Sequence, residues 1–151
     1  MELELDEMTS GDVAACATVF VASFTQPPWN EDWNQQQAEE VIQSMVAEPT
    51  FWGLVGHIES EMVGFLCGRV NDDGDQQSFF CVELCVQPTY QGHGIGSALL
   101  EAARHELLKR NVSSIEIGTD RNTPAEAFYR KHGFTETAAT KTEIYMKWQF
   151  N

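Results

Sequence analysis

No lysine or arginine occurs in the first 68 residues of this 151-residue chain, a stretch that carries 12 acids. From Arg69 onward 9 bases meet 11 acids, and the formal net charge is −14. So negative a surface repels nucleic acid and anionic lipid and draws cations, protonated amines among them. The same charge would also serve solubility alone. Missing too is any uninterrupted apolar run near the ~18 residues of a membrane span, so no membrane partner is expected. A basic start, short apolar core and small-residue cleavage site are absent, and a cytoplasmic location is the expectation. The few cysteines, Cys16, Cys67, Cys81 and Cys85, form neither a CxxC pair nor a zinc spacing. Reduced, buried thiols and no metal are therefore expected. No repeat or low-complexity stretch interrupts the chain, and 42% hydrophobic with 21% charged residues suits one globular domain over residues 1–151.

What is present is an alternation of strand and helix patterns. Leu3 and Leu5 alternate with acids, the period of a strand with one buried face. Thr9 and Asp12 form a capping-box pair ahead of Val13, Cys16, Ala17, Phe20, Val21 and Phe24 at helical spacing. The Pro27-Pro28 pair ends that helix; Asp32 with Gln35 caps a second, whose apolar face is Ala38, Val41, Ile42 and Met45. Phe51 to Ile58 and Met62 to Val70 read as strands joined at Glu59-Ser60-Glu61, followed by a polar loop from Asn71 to Gln77. Ser78 to Val86 is more continuously apolar, as in a strand covered on both faces. A helix over Ser97 to Arg110 then predicts that the strand Ser114 to Gly118 runs parallel to its predecessor. Thr123-Pro124-Ala125-Glu126 is a helix start with its capping box, Gly133 ends that helix, and Phe134 to Thr137 and Glu143 to Gln149 close the chain as strands.

Between the apolar run Val82 to Val86 and the third helix lies Gln91-Gly92-His93-Gly94-Ile95-Gly96-Ser97. A strand, a glycine loop and a helix start aim free backbone N–H groups and a positive dipole end at one spot, which suits an anion. The spacing is not the GxGxxG of dinucleotide folds, and the Lys-Ser/Thr of a nucleotide loop is missing.

The run Leu84-Cys85-Val86-Gln87-Pro88 followed by Gln91-Gly92-His93-Gly94-Ile95-Gly96 resembles motif A of the GNAT superfamily of acyl-CoA-dependent N-acetyltransferases, (Gln/Arg)-x-x-Gly-x-(Gly/Ala). Asn122, Ala125, Tyr129, Gly133 and Phe134 resemble that superfamily's second signature. The resemblance covers nearly the whole chain. It implies an α/β (α+β) fold: a mixed, mostly antiparallel twisted sheet of about seven strands, with a central splayed parallel pair and four helices. It also implies acetyl-CoA as donor substrate. The backbone of Leu84, Cys85 and Val86 would pair with the pantetheine amides, N–H groups from Gln91 to Ser97 would hold the pyrophosphate, and Asn122 would meet the pantetheine or thiol end.

Amide formation from a thioester needs a neutral amine, a stabilised oxyanion and a proton for the leaving thiolate. Glu83, a lone carboxylate in an apolar strand, is the candidate base and stands where similar proteins place an acid; pairing with Arg69 or Arg121 is the alternative. Tyr129 matches the family's general acid, although packing would also explain it. His93 could contact phosphate, His105 and His132 read as surface residues, and His57 as at most an outlying base. Trp29, Glu31, Asp32 and Trp33 lie in the connection that borders the acceptor pocket in similar proteins, and aromatic faces beside carboxylates suit a cation. The resulting expectation is direct acetyl transfer, in a ternary complex, to a primary amine of a polyamine-like or aminoglycoside-like molecule. Acetylation of a protein N-terminus or lysine, a non-catalytic acyl-CoA sensor, and a homodimer remain open.

Overall fold

The computed structural model describes residues 2–150. Leu3–Glu7 forms β1, and Thr9 caps a short 3-10 turn, Ser10–Asp12, that leads into α1, Val13–Phe24. The Thr9–Asp12 capping box is present as the sequence predicts, with the Thr9 N–H donating to the Asp12 carboxylate at 2.8 Å. The second helix, α2, spans Gln35–Val46 and is capped by Asn34 with Gln37, not by Asp32 with Gln35. Both pairs have the required spacing. Trp33 decides between them: its ring sits edge-on against Phe20 at 4.8 Å and holds the chain extended until Asn34.

Phe51–Ile58 (β2) and Glu61–Asp72 (β3) form a hairpin in which Glu59 and Ser60 both have positive φ. Gln77–Val86 is β4, Ile95–Lys109 is α3, Val112–Asp120 is β5 and Pro124–Lys131 is α4. Thr135–Ala139 (β6) and Glu143–Gln149 (β7) complete a seven-stranded sheet in the order β1-β2-β3-β4-β5-β7-β6. Among the described residues, only β4 and β5 pair in parallel; every other neighbour is antiparallel. The Thr123 cap and Pro124 start hold as predicted, but the Glu126 carboxylate accepts the N–H of Asn122 at 2.8 Å rather than that of Thr123.

Helices α1 and α2 cover one face of β2 to β4, with Cys16, Phe20, Ile42, Val55, Phe65 and Cys85 in their core. Helices α3 and α4 cover the other face over Leu66, Phe79, Leu99, Leu107, Ile115 and Met146. Each large aliphatic or aromatic side chain so buried contributes roughly 1.5–3 kcal/mol.

Two irregularities in the centre of the sheet prepare the site. First, the β4–β5 ladder runs only from Gln77↔Val112 to Phe80↔Glu116, although β4 continues to Val86 and β5 to Asp120. Beyond that point the strands part, as the resemblance implies. Second, Cys67 is opposite Glu83 and Gly68 is opposite Cys81, so Val82 is an extra residue, a β-bulge in β4. A Cβ on Gly68 would lie 1.9 Å from the Phe80 carbonyl oxygen, so the bulge closes only over a glycine. The extra residue reverses the alternation. Phe79 and Cys81 belong to the core under α3 and α4, and Leu84 and Val86 pack against it, while Cys85 is in the core under α1 and α2. Glu83 shares the side of Cys85.

Candidate active site

The parted strands open onto a cleft of about 640 Å³. One wall is Leu84, Val86, Pro88, Tyr90 and the glycine loop, the opposite wall Pro124, Ala125, Phe128, Tyr129 and Lys131, and the rim Ser23, Gln26, Pro27, Pro28 and Trp29. At its inner end Gly94 is the N-terminal cap of α3 with φ +81, a left-handed conformation that glycine takes without strain. Among the described residues, the backbone N–H groups from Gly92 through Ser97 have no acceptor within the protein. Nothing lies within 4 Å of where a Cβ would stand on Gly92 or Gly94. Six free donors at a helix start, beside a cleft lined by strand backbone, fit a pyrophosphate followed by a long amide-bearing arm. Replacing Gly94 with Val would impose about 1–2 kcal/mol of left-handed strain and push methyls into the cradle. Coenzyme A should then bind at least tenfold more weakly by calorimetry, with an unchanged circular dichroism spectrum.

Within the loop, the Gln91 side-chain amide donates to the Val86 carbonyl at 3.1 Å, and Ile95 is buried. The His93 ring folds back, its Nδ1 lying 3.1 Å from the carbonyls of both Tyr90 and Gln91, and it does not line the cleft. Cys85 is buried on the far side of the strand, so only its backbone is available. Asn122 is exposed, has φ 61 and lies outside the cleft lining. Asparagine tolerates this left-handed turn.

Glu83 is half-buried, and while its backbone carbonyl accepts from the Cys81 thiol at 3.4 Å, its carboxylate makes no hydrogen bond or ion pair among the described residues. Neither basic alternative reaches it: the Arg69 guanidinium lies over the Phe80 ring at 4.8 Å, and Arg121 donates to the Thr140 carbonyl at 2.9 Å. Burial, and then the negative charge of Glu31, push the Glu83 carboxyl up to about 8. Glu31 is held in place by a 2.7 Å bond from the Trp33 indole N–H to its Oε1 and by its own N–H to the Phe24 carbonyl at 2.8 Å. Tyr129 lies on the α4 side of the opening, packed between Phe128 and Phe134, with its hydroxyl bonded to nothing among the described residues. Burial, then the nearby Cys81, Cys85 and Glu83, hold that hydroxyl in its protonated form.

The four acceptor-site candidates separate. Trp29 lines the cleft, Glu31 lies near enough for its charge to raise Glu83, and Asp32 and Trp33 border a shallow depression against Gln37, Val41 and Ser44 on α2. Sequence reasoning missed Tyr90, Phe128 and Lys131 in the cleft wall; Phe128 and Lys131 are three apart on α4 and so share a face, which is the one signal pointing to them.

A mixed sheet parted at its one parallel pair, with a backbone donor cradle beside the opening, is the architecture of an acyltransferase that threads a long thioester between two strands. The chain belongs to the acetyltransferase (GNAT) family, which it matches over residues 18–134. The family's acyl donor is acetyl-CoA. Over 99 residues the chain is 27% identical to the L-2,4-diaminobutyric acid acetyltransferase of Sporosarcina pasteurii, covering 64% of this chain and 55% of that protein. Over 86 residues it is 34% identical to the mycothiol acetyltransferase of Catenulispora acidiphila, covering 53% of this chain and 27% of that one. The chain thus spans about half of the first relative's length and about a quarter of the second's. In structure it is similar to the PaiA N-acetyltransferase of Thermoplasma acidophilum in complex with coenzyme A, with TM-score 0.84 and 17% identity, covering 99% of this chain and 100% of that one. That likeness shows a shared fold.

Proposed function

We propose that the protein transfers an acetyl group from acetyl-CoA to a primary amine of a cationic small molecule, directly and with both substrates bound. The observation that carries this reading is the placement of Glu83. It is a desolvated, unpartnered carboxylate on the α1–α2 side of the sheet, three residues past the last β4–β5 pair and outside the cleft lining, while Tyr129 belongs to that lining. An amine would approach from the acidic side between Glu31 and Glu83, while the thioester lies in the gap.

Glu83 would take one proton from the ammonium, directly or through water, leaving the nitrogen lone pair free to attack. Donor N–H groups of the β4 edge near Val86 would steady the negative charge building on the carbonyl oxygen. As the new C–N bond forms and the C–S bond breaks, Tyr129 would give its proton to the sulfur and recover one from the amine nitrogen. None of the cysteines is used as a nucleophile: burial pushes Cys16 up to about 12 and raises Cys67, Cys81 and Cys85 as well, which keeps all four as thiols. The diaminobutyrate and mycothiol enzymes are named for small-molecule products or acceptors, which supports a small amine over a protein terminus.

Thiol release from acetyl-CoA, measured across diamines, aminoglycosides and peptides, tests the proposal. Turnover with cationic small amines is expected, and a preference for anionic acceptors or for peptides would overturn it. Tyr129→Phe should lower kcat about 100-fold while coenzyme A binding is unchanged, the low end of general acid catalysis. Full turnover in that variant would remove Tyr129 as the acid.

A further inference from the structure

Where the end of α4 meets the start of α3, the Ser97 hydroxyl lies 2.8 Å from Nε2 of His132. We propose that His132 is a positioning residue for the donor's phosphates: it holds the Ser97 hydroxyl so that its proton points into the N–H cradle. The inference rests on the reading that the cradle holds the pyrophosphate of coenzyme A.

Ser97 is the last of the run of free backbone donors, and its side chain lines the cleft. His132 is fixed from two directions. Its N–H reaches the carbonyls of Tyr129 at 3.1 Å and Phe128 at 3.3 Å, and its ring packs on the Phe128 ring at 4.6 Å. A hydroxyl has one proton to give. With Nε2–H donating to Oγ, that one proton is left for a phosphate oxygen.

The sequence of the loop makes this contribution matter. Gln91 to Ser97 contains no Lys or Arg, and Lys131 is the one cationic side chain among the residues that line the cleft. The other charged groups around this corner are largely engaged. Arg130 pairs with Glu126 at 2.8 Å and with Glu136 at 3.6 Å, and Glu101, one turn beyond Ser97, pairs with Arg104 at 3.2 Å. His93, the other imidazole near the cradle, is turned back on its own loop.

The test is calorimetric binding of coenzyme A and of dephospho-coenzyme A, which keeps the pyrophosphate and lacks the 3′-phosphate, to wild type, Ser97→Ala, His132→Phe, the double variant of these two, and His132→Gln. Ser97→Ala and His132→Phe should each weaken both ligands about tenfold, the loss of one charge-assisted hydrogen bond. The double variant should bind no more weakly than Ser97→Ala, and His132→Gln, whose amide can still donate to the hydroxyl, should recover most of the loss, with thermal melts near wild type throughout. Additive losses in the double variant, or wild-type binding by His132→Phe, would overturn the role of His132. Failure of the wild type to bind either ligand would instead sink the cofactor reading on which the proposal stands.

Discussion

With Glu83 as the proposed base, replacing it with glutamine should lower kcat/KM by about 10²- to 10⁴-fold, the usual worth of a positioned base, and change the shape of the pH–rate profile. Because burial and Glu31 push Glu83 up to about 8, its ionised fraction in the wild type climbs as pH passes through about 8, and the rate should climb with it. In Glu83→Gln that limb disappears and only the ionisation of the amine itself remains. The deficit is therefore smallest at low pH, where the wild-type base is itself protonated. The same substitution has a thermodynamic signature of opposite sign. A carboxyl raised from 4.5 to about 8 in the folded state holds its proton more tightly than in the unfolded chain. Between those values the native state binds more protons, so wild-type stability falls as pH rises through that window. Glu83→Gln never ionises; it should melt above wild type at pH 8 to 9 and draw level near about pH 4. A variant that is slower but keeps the wild-type pH–rate slope would exclude Glu83 as the base.

Gly68→Ala acts on stability and catalysis together. Its Cβ would stand 1.9 Å from the Phe80 carbonyl oxygen and 3.0 Å from the Val82 nitrogen, both backbone atoms with little room to move. Overpacking of this kind costs about 3 kcal/mol or more, readable as a lowered urea midpoint. If the strain is relieved by loss of the bulge, Glu83 turns to the other face of the sheet and activity falls with stability. A variant as stable and as active as wild type would show that the Val82 bulge does not depend on this glycine.

Local features of the fold were legible because neighbours in sequence determine them. Thr9 with Asp12, Pro124 after Thr123, and the parallel crossover through α3 are each set within a few residues or by the length of one helix. The cap of α2 was misplaced because Asp32–Gln35 and Asn34–Gln37 are equivalent in sequence, and only the packing of Trp33 on Phe20 distinguishes them. The site divides in the same way. The glycine cradle is a contiguous stretch, but the isolation of Glu83 depends on Arg69 and Arg121 finding other partners. The approach of Glu31 to Glu83 depends on a loop folded against Phe24. Gly68 was a visible flag, since a glycine inside a strand often marks a bulge, yet which partner residue becomes the extra one is decided across two strands. Ser97 and His132 are 35 positions apart, beyond the reach of spacing arguments.

The short ladder between β4 and β5 also shapes how the molecule works as a machine. Among the described residues, four paired positions, Gln77 to Phe80 against Val112 to Glu116, are the only direct backbone seam between β1–β4 and the β5–β7–β6 half of the sheet. A donor lying in the opening would extend that seam with its own amides, so the ligand would serve as a temporary strand that completes the fold. Anything that binds only the completed form stabilises it by mass action, and the thiol product would be held by much the same seam as the thioester. Release of the spent carrier would then require unzipping the sheet at its centre, which couples the pace of turnover to the mechanical compliance of β4 and β5.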